Sequence, residues 1–291
     1  MKEVDSPQEF ERFFNKRGER IEITGMYSGR AAFLLCNGPS FLAEDKTKLD
    51  RLGIITMGLN NGPATYRPNL WMCNDEPYRF LPSIWLDPRI MKIVPKSLLS
   101  RPALFRKTAD GRPVAAMVAN MPNVICFNRG TGMEKFIESP WFAFGEPHKK
   151  DGVRSVMLPA IKALYWLGFS RIYLLGCDFN MSKEAGYHFD QGRSDKAIEN
   201  NNRAYQKMSE WMPKIRQETE SRGVKIYNCN KDSNLKAFEY RSFSEAIEAE
   251  SADAQQFLGS EIVSGRYEAL ARENANGKSI PEICCALNGF A

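Results

Sequence analysis

The sequence predicts an α/β protein: a Rossmann-like, doubly wound, mostly parallel sheet with a loop-rich insertion and a helical C-terminal segment. Three features carry that prediction. The runs AAFLLC (31–36), GIITMGL (53–59) and LWMC (70–73) are short, continuously apolar and closed by turn residues, as in strands buried on both faces. The block SVMLPAIKALYWLGFSRIYLLGC (155–177) has helical apolar spacing through Leu158, Ile161, Leu164 and Tyr165, then Gly168 as a cap, then a second buried run. A further helix-to-strand unit runs from residues 196–222 into VKIYNC (224–229).

Taken in order, residues 1–29 read as a polar, helical lead-in ending in the loop GMYSGR. After the first strand, PSFLAEDKTKLDRL reads as a helix, with Pro at its first turn and acidic residues early. Residues 77–150 are rich in proline, aromatics and the glycine segment NRGTGM, and read as loops with short strands such as NVICF that wall a site. The long helix over 196–222 tolerates Pro213, and residues 245–275 are helical and polar. The division expected is a sheet domain over 1–245 and a helical extension over 246–291.

Composition bounds what such a chain can do. With 291 residues and 43% hydrophobic content it buries one substantial core. A net charge of +5 spread along the chain suits an anionic partner. Seven cysteines with no CxxC spacing argue against a disulfide framework or a zinc site and fit a cytoplasmic setting. No window approaches the roughly 18 apolar residues of a membrane span, so no membrane partner is expected.

In an open parallel sheet, ligands bind beyond the carboxyl ends of the strands. There the chain repeatedly places asparagine: Asn37, Asn60 and Asn74 follow the first three apolar runs. Asn is a common turn former, yet its amide both donates and accepts and can read a nucleotide. In CNGPS, Gly38 permits close backbone approach, Pro39 opens a helix, and Ser40 can bind an anion. Asp178, at the end of a strand in GCDF, is the carboxylate placed to hydrogen-bond an acceptor or to order the loop carrying His188. His188 is one of two histidines, the other being His148, and its side chain suits proton transfer near neutrality. Lys149, Lys150, Arg154 and Arg193 could neutralise a leaving phosphate, and Tyr187 and Tyr205 could contact it or the acceptor. No D-x-D, P-loop or complete G-x-G-x-x-G pattern occurs, and no metal cluster is read.

The NGPS loop, the asparagines after the next two strands, the LGFSRIYLLGCDF block and the later YHFD together resemble the bacterial sialyltransferases that decorate lipooligosaccharides. They equally resemble the related motility-accessory proteins that glycosylate flagellin. The resemblance spans roughly 31–240. It implies a metal-independent glycosyltransferase using a CMP-activated sugar, with no cofactor beyond the nucleotide-sugar as donor substrate. It also implies nucleotide contacts at Asn37, Gly38, Ser40, Asn60, Asn74 and Ser155, and His188 as general base. The family's basic, membrane-associating end is not matched by SIPEICCALNGFA, so a soluble acceptor is expected. Modified DNA is one such acceptor, acted on by a phage-type enzyme that glycosylates hydroxymethylated pyrimidines. A pterin pyrophosphokinase-like enzyme and a non-catalytic nucleic-acid-binding protein are the other readings, and homo-oligomer formation is left open.

Overall fold

The structure, a computed structural model, describes residues 13–130, 142–143, 155–184 and 186–260. Its first element is β1 (Phe14–Asn15), so the helical lead-in expected before residue 30 is not found from residue 13 on, and residues 1–12 lie outside the described residues. Phe13 and Phe14 are buried. The Asn15 side chain accepts the main-chain N–H groups of Arg17 and Glu19, closing a turn in which Gly18 takes a φ of +83°. A local side-chain acceptor thus competes successfully with a helix start.

The central strands follow: β2 (Ala31–Leu35), β3 (Thr56–Leu59), β4 (Leu70–Met72) and β5 (Met91–Pro95). Next, β6 (Pro102–Lys107) and β7 (Pro113–Met117) form a separate antiparallel ribbon. Then come β8 (Val124–Phe127) and the small parallel pair β9 (Arg129–Gly130) and β10 (Phe142–Ala143). β11 (Arg171–Leu175), β12 (Lys225–Asn228) and β13 (Glu239–Tyr240) complete the set. Four helices accompany them: α1 (Pro82–Leu86), α2 (Met157–Trp166), α3 (Asp195–Glu220) and α4 (Phe243–Ser260).

Nine strands form one sheet in the order β1-β8-β5-β4-β3-β2-β11-β12-β13, and every neighbouring pair is parallel except β1 with β8. From β2 the chain winds outward through β3, β4, β5 and β8, then crosses back to lay β11, β12 and β13 on the other side. The direction reverses between β2 and β11, where Ala31–Leu35 pair in register with Arg171–Leu175.

Alternation along the strands divides the core. Ala32, Leu34, Ile172 and Leu174 face α2 and α3, packing on Leu158, Ile161, Met212 and Ile215. Phe33, Leu35, Tyr173 and Leu175 face the opposite side, where Phe41, Leu49 and α4's Phe243 and Ile247 cover them. A third cluster joins Trp71, Trp85 and Val94 under the ribbon's base. Each such fully buried side chain is worth about 1.5–3 kcal/mol, so the sheet is held from both faces. Gly168 ends α2 as read from the sequence: its φ is +96°, and a Cβ there would lie 2.9 Å from the Gly25 Cα.

Three segments depart from expectation. PSFLAEDKTKLDRL is not one helix but two 3-10 turns, Pro39–Ala43 and Lys46–Asp50, because Glu44 is extended and the Asp45 carboxylate accepts the Thr47 N–H, restarting the chain. The region read as loops contributes β5 as well as β8 to the central sheet. Lys92 lies within β5, fully buried, donating to the carbonyls of Asp87, Ile90 and Pro122 at 2.7–3.0 Å, which hides a strand behind a charged residue. Finally, α4 straddles the expected boundary at 245/246, and its first turns belong to the core. Residues 261–291 lie outside the described residues.

Candidate functional site

A cavity of about 480 Å³ opens beyond the carboxyl ends of β2, β3, β4 and β11, at the point where strand order reverses. Its floor is the pair of loops leaving β2 and β11. These loops are stitched by main-chain bonds from Cys36 to Leu175 and from Gly38 to Gly176, both 2.8 Å. Gly38 is obligatory there, since a Cβ would lie 2.5 Å from Asp178 Oδ2 and 2.6 Å from the Gly176 oxygen. Asp178 completes the clasp: it accepts the Ser40 N–H at 3.0 Å, the Ser40 hydroxyl, and Asn230 Nδ2 at 2.8 Å. Ser40 and Asp178 thus satisfy each other, and Pro39 and Ser40 stand behind the cavity wall rather than on it.

The three asparagines meet in the wall with unlike conformations. Asn60 takes a φ of +49°, a left-handed position that Asn tolerates, and its carbonyl accepts the Trp71 indole N–H at 2.6 Å. Asn37 and Asn74 differ: their Oδ1 atoms are buried, and no group among the described residues donates to either. A buried acceptor left without a hydrogen bond costs about 1–3 kcal/mol.

Ser155 lines the cavity at the start of α2, where its Oγ accepts the Met157 N–H at 3.1 Å. The N-terminus of that helix therefore opens on the cavity, with the positive end of its dipole inward. Arg79, Arg129 and Arg193 also reach the wall. Arg193 lies over the Tyr187 ring at 4.9 Å and donates to its hydroxyl at 3.0 Å. Tyr205 stacks on Phe179 at 5.2 Å, and burial pushes its hydroxyl pKa up.

His188 does not line the cavity. It sits behind Asn37, with its N–H donated to the Asn37 carbonyl at 3.1 Å and its ring edge-on to Phe41 and Phe189. Thr65 Oγ1 donates to the His188 carbonyl at 3.2 Å and lies 2.9 Å from Nδ1. The Thr65 hydroxyl thus serves both the His188 carbonyl and a nitrogen of its ring. Nε2 is buried without a partner among the described residues, and a Cβ at Gly62 would lie 3.5 Å from it and 3.0 Å from Asn37 Oδ1. Burial lowers the His188 pKa to about 4, so the ring is neutral at pH 7.

The structure thus brings Asn37, Gly38, Asn60, Asn74, Ser155, Asp178, Tyr187, Arg193 and Tyr205 to one cavity. Lys149, Lys150 and Arg154, together with His148, lie outside the described residues. Sequence reasoning missed Arg79, Arg129, Asn180 and Asn201 in the wall and Asn230 behind it. Arg129 and Asn230 were within reach of the rule used for the asparagines, since each lies two residues past the end of a strand, β8 or β12, as Asn37 and Asn74 do past β2 and β4. Among the described residues no group of three or more His, Cys, Asp or Glu side chains is arranged to hold a metal ion.

No protein-family model and no curated protein matches the chain. Among solved structures it is similar to the sialyltransferase CstII from Campylobacter jejuni, solved in complex with a substrate analogue, cytidine-5'-monophosphate. That similarity has a TM-score of 0.42 at 13% identity and covers 74% of this chain and 86% of the other. At that TM-score the likeness does not bear on the activity of this chain.

Proposed function

We propose that the chain is a glycosyltransferase that moves a sugar from a nucleotide-activated donor substrate, of the CMP-sugar type, to an acceptor hydroxyl without a metal ion. The observation that carries this reading is that Asn37 and Asn74, which both line a cavity at the sheet's switch point, have Oδ1 atoms without a donor among the described residues. They call for a ligand rich in hydrogen-bond donors, and a cytidine nucleotide offers an exocyclic amine and ribose hydroxyls. The α2 N-terminus and the three arginines suit the phosphate that departs as the glycosidic bond forms.

In the same reading His188 is the base, accepting the acceptor's hydroxyl proton at Nε2. Its support is the buried Nε2, without a partner among the described residues, on a ring whose other nitrogen is tied to Thr65. Because Nε2 is enclosed by Asn37 and Gly62, proton transfer requires the turn around Gly62 to shift. Asp178 acts as a positioning residue, holding the two loops together through Ser40 and Asn230.

The test is titration calorimetry with CMP and UMP. CMP should bind more tightly, and Asn37→Ala or Asn74→Ala should weaken it by about 1–3 kcal/mol. CMP release from a panel of CMP-sugars should then persist in chelator. Equal binding of both nucleotides, unchanged in both variants, would return the asparagines to a role in turn formation and reject the reading.

A further inference from the structure

The β6–β7 ribbon is not explained by the cavity. It stands apart from the central sheet, and both its faces emerge into solvent beyond Leu104. Its tip is firmly built. Thr108 N–H donates to the Arg112 carbonyl and Gly111 N–H to the Thr108 carbonyl, both at 2.9 Å. The Thr108 hydroxyl and Arg112 Nε, the latter at 2.7 Å, both donate to the Asp110 carboxylate. Beside this rigid turn, Arg106 and Lys107 are exposed, and neither forms an ion pair with a described residue.

The ribbon also carries apolar surface that the core does not use. Of the ten large hydrophobic side chains exposed among the described residues, Phe105, Val114 and Met117 lie on the ribbon and Tyr78 on the turn beside it. Phe105 is 64% exposed. Alternation puts it on the same face as Lys107, two residues on, and its cross-strand partner is Ala115, too small to cover the ring. The base of β6 packs on the turn Pro77–Arg79, where Tyr78 is 54% exposed and Arg79 reaches the cavity wall. Uncovered aromatic rings interleaved with unpaired cations are what a nucleic-acid strand requires: a stacking face for bases and charge for the phosphates between them.

We propose that the β6–β7 ribbon, with the adjoining turn at Tyr78 and Arg79, binds a nucleic-acid strand, with Phe105 and Tyr78 stacking on bases and Lys107 and Arg79 contacting phosphates. This surface leads into the cavity at Arg79 and would present the strand to it as acceptor. The binding itself does not depend on the reading of the sugar donor.

The test is fluorescence anisotropy with a labelled oligothymidylate of about 20 nucleotides and a duplex of the same length, without any nucleotide-sugar. Two phosphate contacts on a single strand predict roughly 7-fold weaker binding between about 50 and 200 mM salt. Lys107→Glu should weaken binding and flatten that dependence. Phe105→Ala should weaken single-strand binding roughly 5- to 100-fold with the salt slope unchanged, because stacking is not ionic. CMP binding should be unaltered in these variants, which separates failure of this surface from failure of the donor reading. Oligonucleotide binding that is absent, or present but indifferent to both substitutions, would overturn the proposal. Self-association lost on Phe105→Ala, in a chain that binds no oligonucleotide, would instead assign the ribbon to contacts between copies.

Discussion

At the scale of single residues, what distinguishes His188 is how little room it has. Its main chain holds Asn37, its carbonyl and Nδ1 are bound to Thr65, and burial holds its pKa near 4, against an ordinary value of 6.5. Because the folded state resists protonation, the unfolded chain binds more protons between those two values. Stability should therefore fall as pH drops from about 6.5 toward 4, by up to about 3 kcal/mol. His188→Gln removes the titrating ring, and denaturant unfolding across that range should show the dependence in the parent chain and its loss in the variant. The same substitution should lower sugar transfer by about 10²–10⁴-fold with CMP binding retained, if Nε2 takes the acceptor's proton. Transfer at the parent rate in a variant that has lost the acid dependence would make His188 a purely structural anchor.

At the scale of elements, the site depends on two loops leaving adjacent parallel strands at one register. The β2 loop reaches Gly176 through Gly38, and the β11 loop returns to Ser40 through Asp178, so each loop fixes the other. Gly38→Ala places a methyl group against the Gly176 oxygen and the Asp178 carboxylate, neither of which is a flexible tip free to yield. Overpacking of this kind costs about 1–3 kcal/mol and here would part the loops. The variant should remain folded by circular dichroism, unfold at lower denaturant and lose CMP binding in calorimetry. Retained binding at lowered stability would show that the loops' separation does not shape the nucleotide site.

At the scale of the whole molecule, the sheet's second face is closed by α4, which is fastened to the central strand β11. Glu250 accepts both Arg171 nitrogens at 2.7 and 2.8 Å and the Tyr173 hydroxyl at 2.8 Å. Burial works to raise the Glu250 pKa, but those hydrogen bonds overcome it and hold the carboxyl below its ordinary value. Its contribution is therefore present above the unfolded carboxyl pKa and lost as pH falls through the folded one. Glu250→Ala removes one hydrogen bond from a core hydroxyl and two from a guanidinium that is one-third exposed. After allowing for that exposure, the cost is about 2 kcal/mol, and the melting temperature should drop by roughly 5 °C. An unchanged melting temperature would mean that Phe243, Ala246 and Ile247 dock the helix alone.

The sequence by itself determined the fold class and the edge of the sheet on which to look. Strands buried on both faces need unbroken apolar runs, and the turns that close them declare where the strands end. It named Asn37, Asn74 and Asp178 because a strand's end is a local property. It could not show that β5 is a central strand, because Lys92 looks solvated until the fold supplies three carbonyls to its ammonium. Nor could it separate the conformations of like residues: Asn60 takes a left-handed backbone, while Asn37 and Asn74 bury Oδ1 atoms that have no donor among the described residues. Arg79 and Arg129 join that wall from segments about 50 residues apart in the chain, and His188 withdraws behind it. Those placements follow from the order in which parallel strands pair, which brings distant loop ends within a few ångströms and which no local pattern encodes.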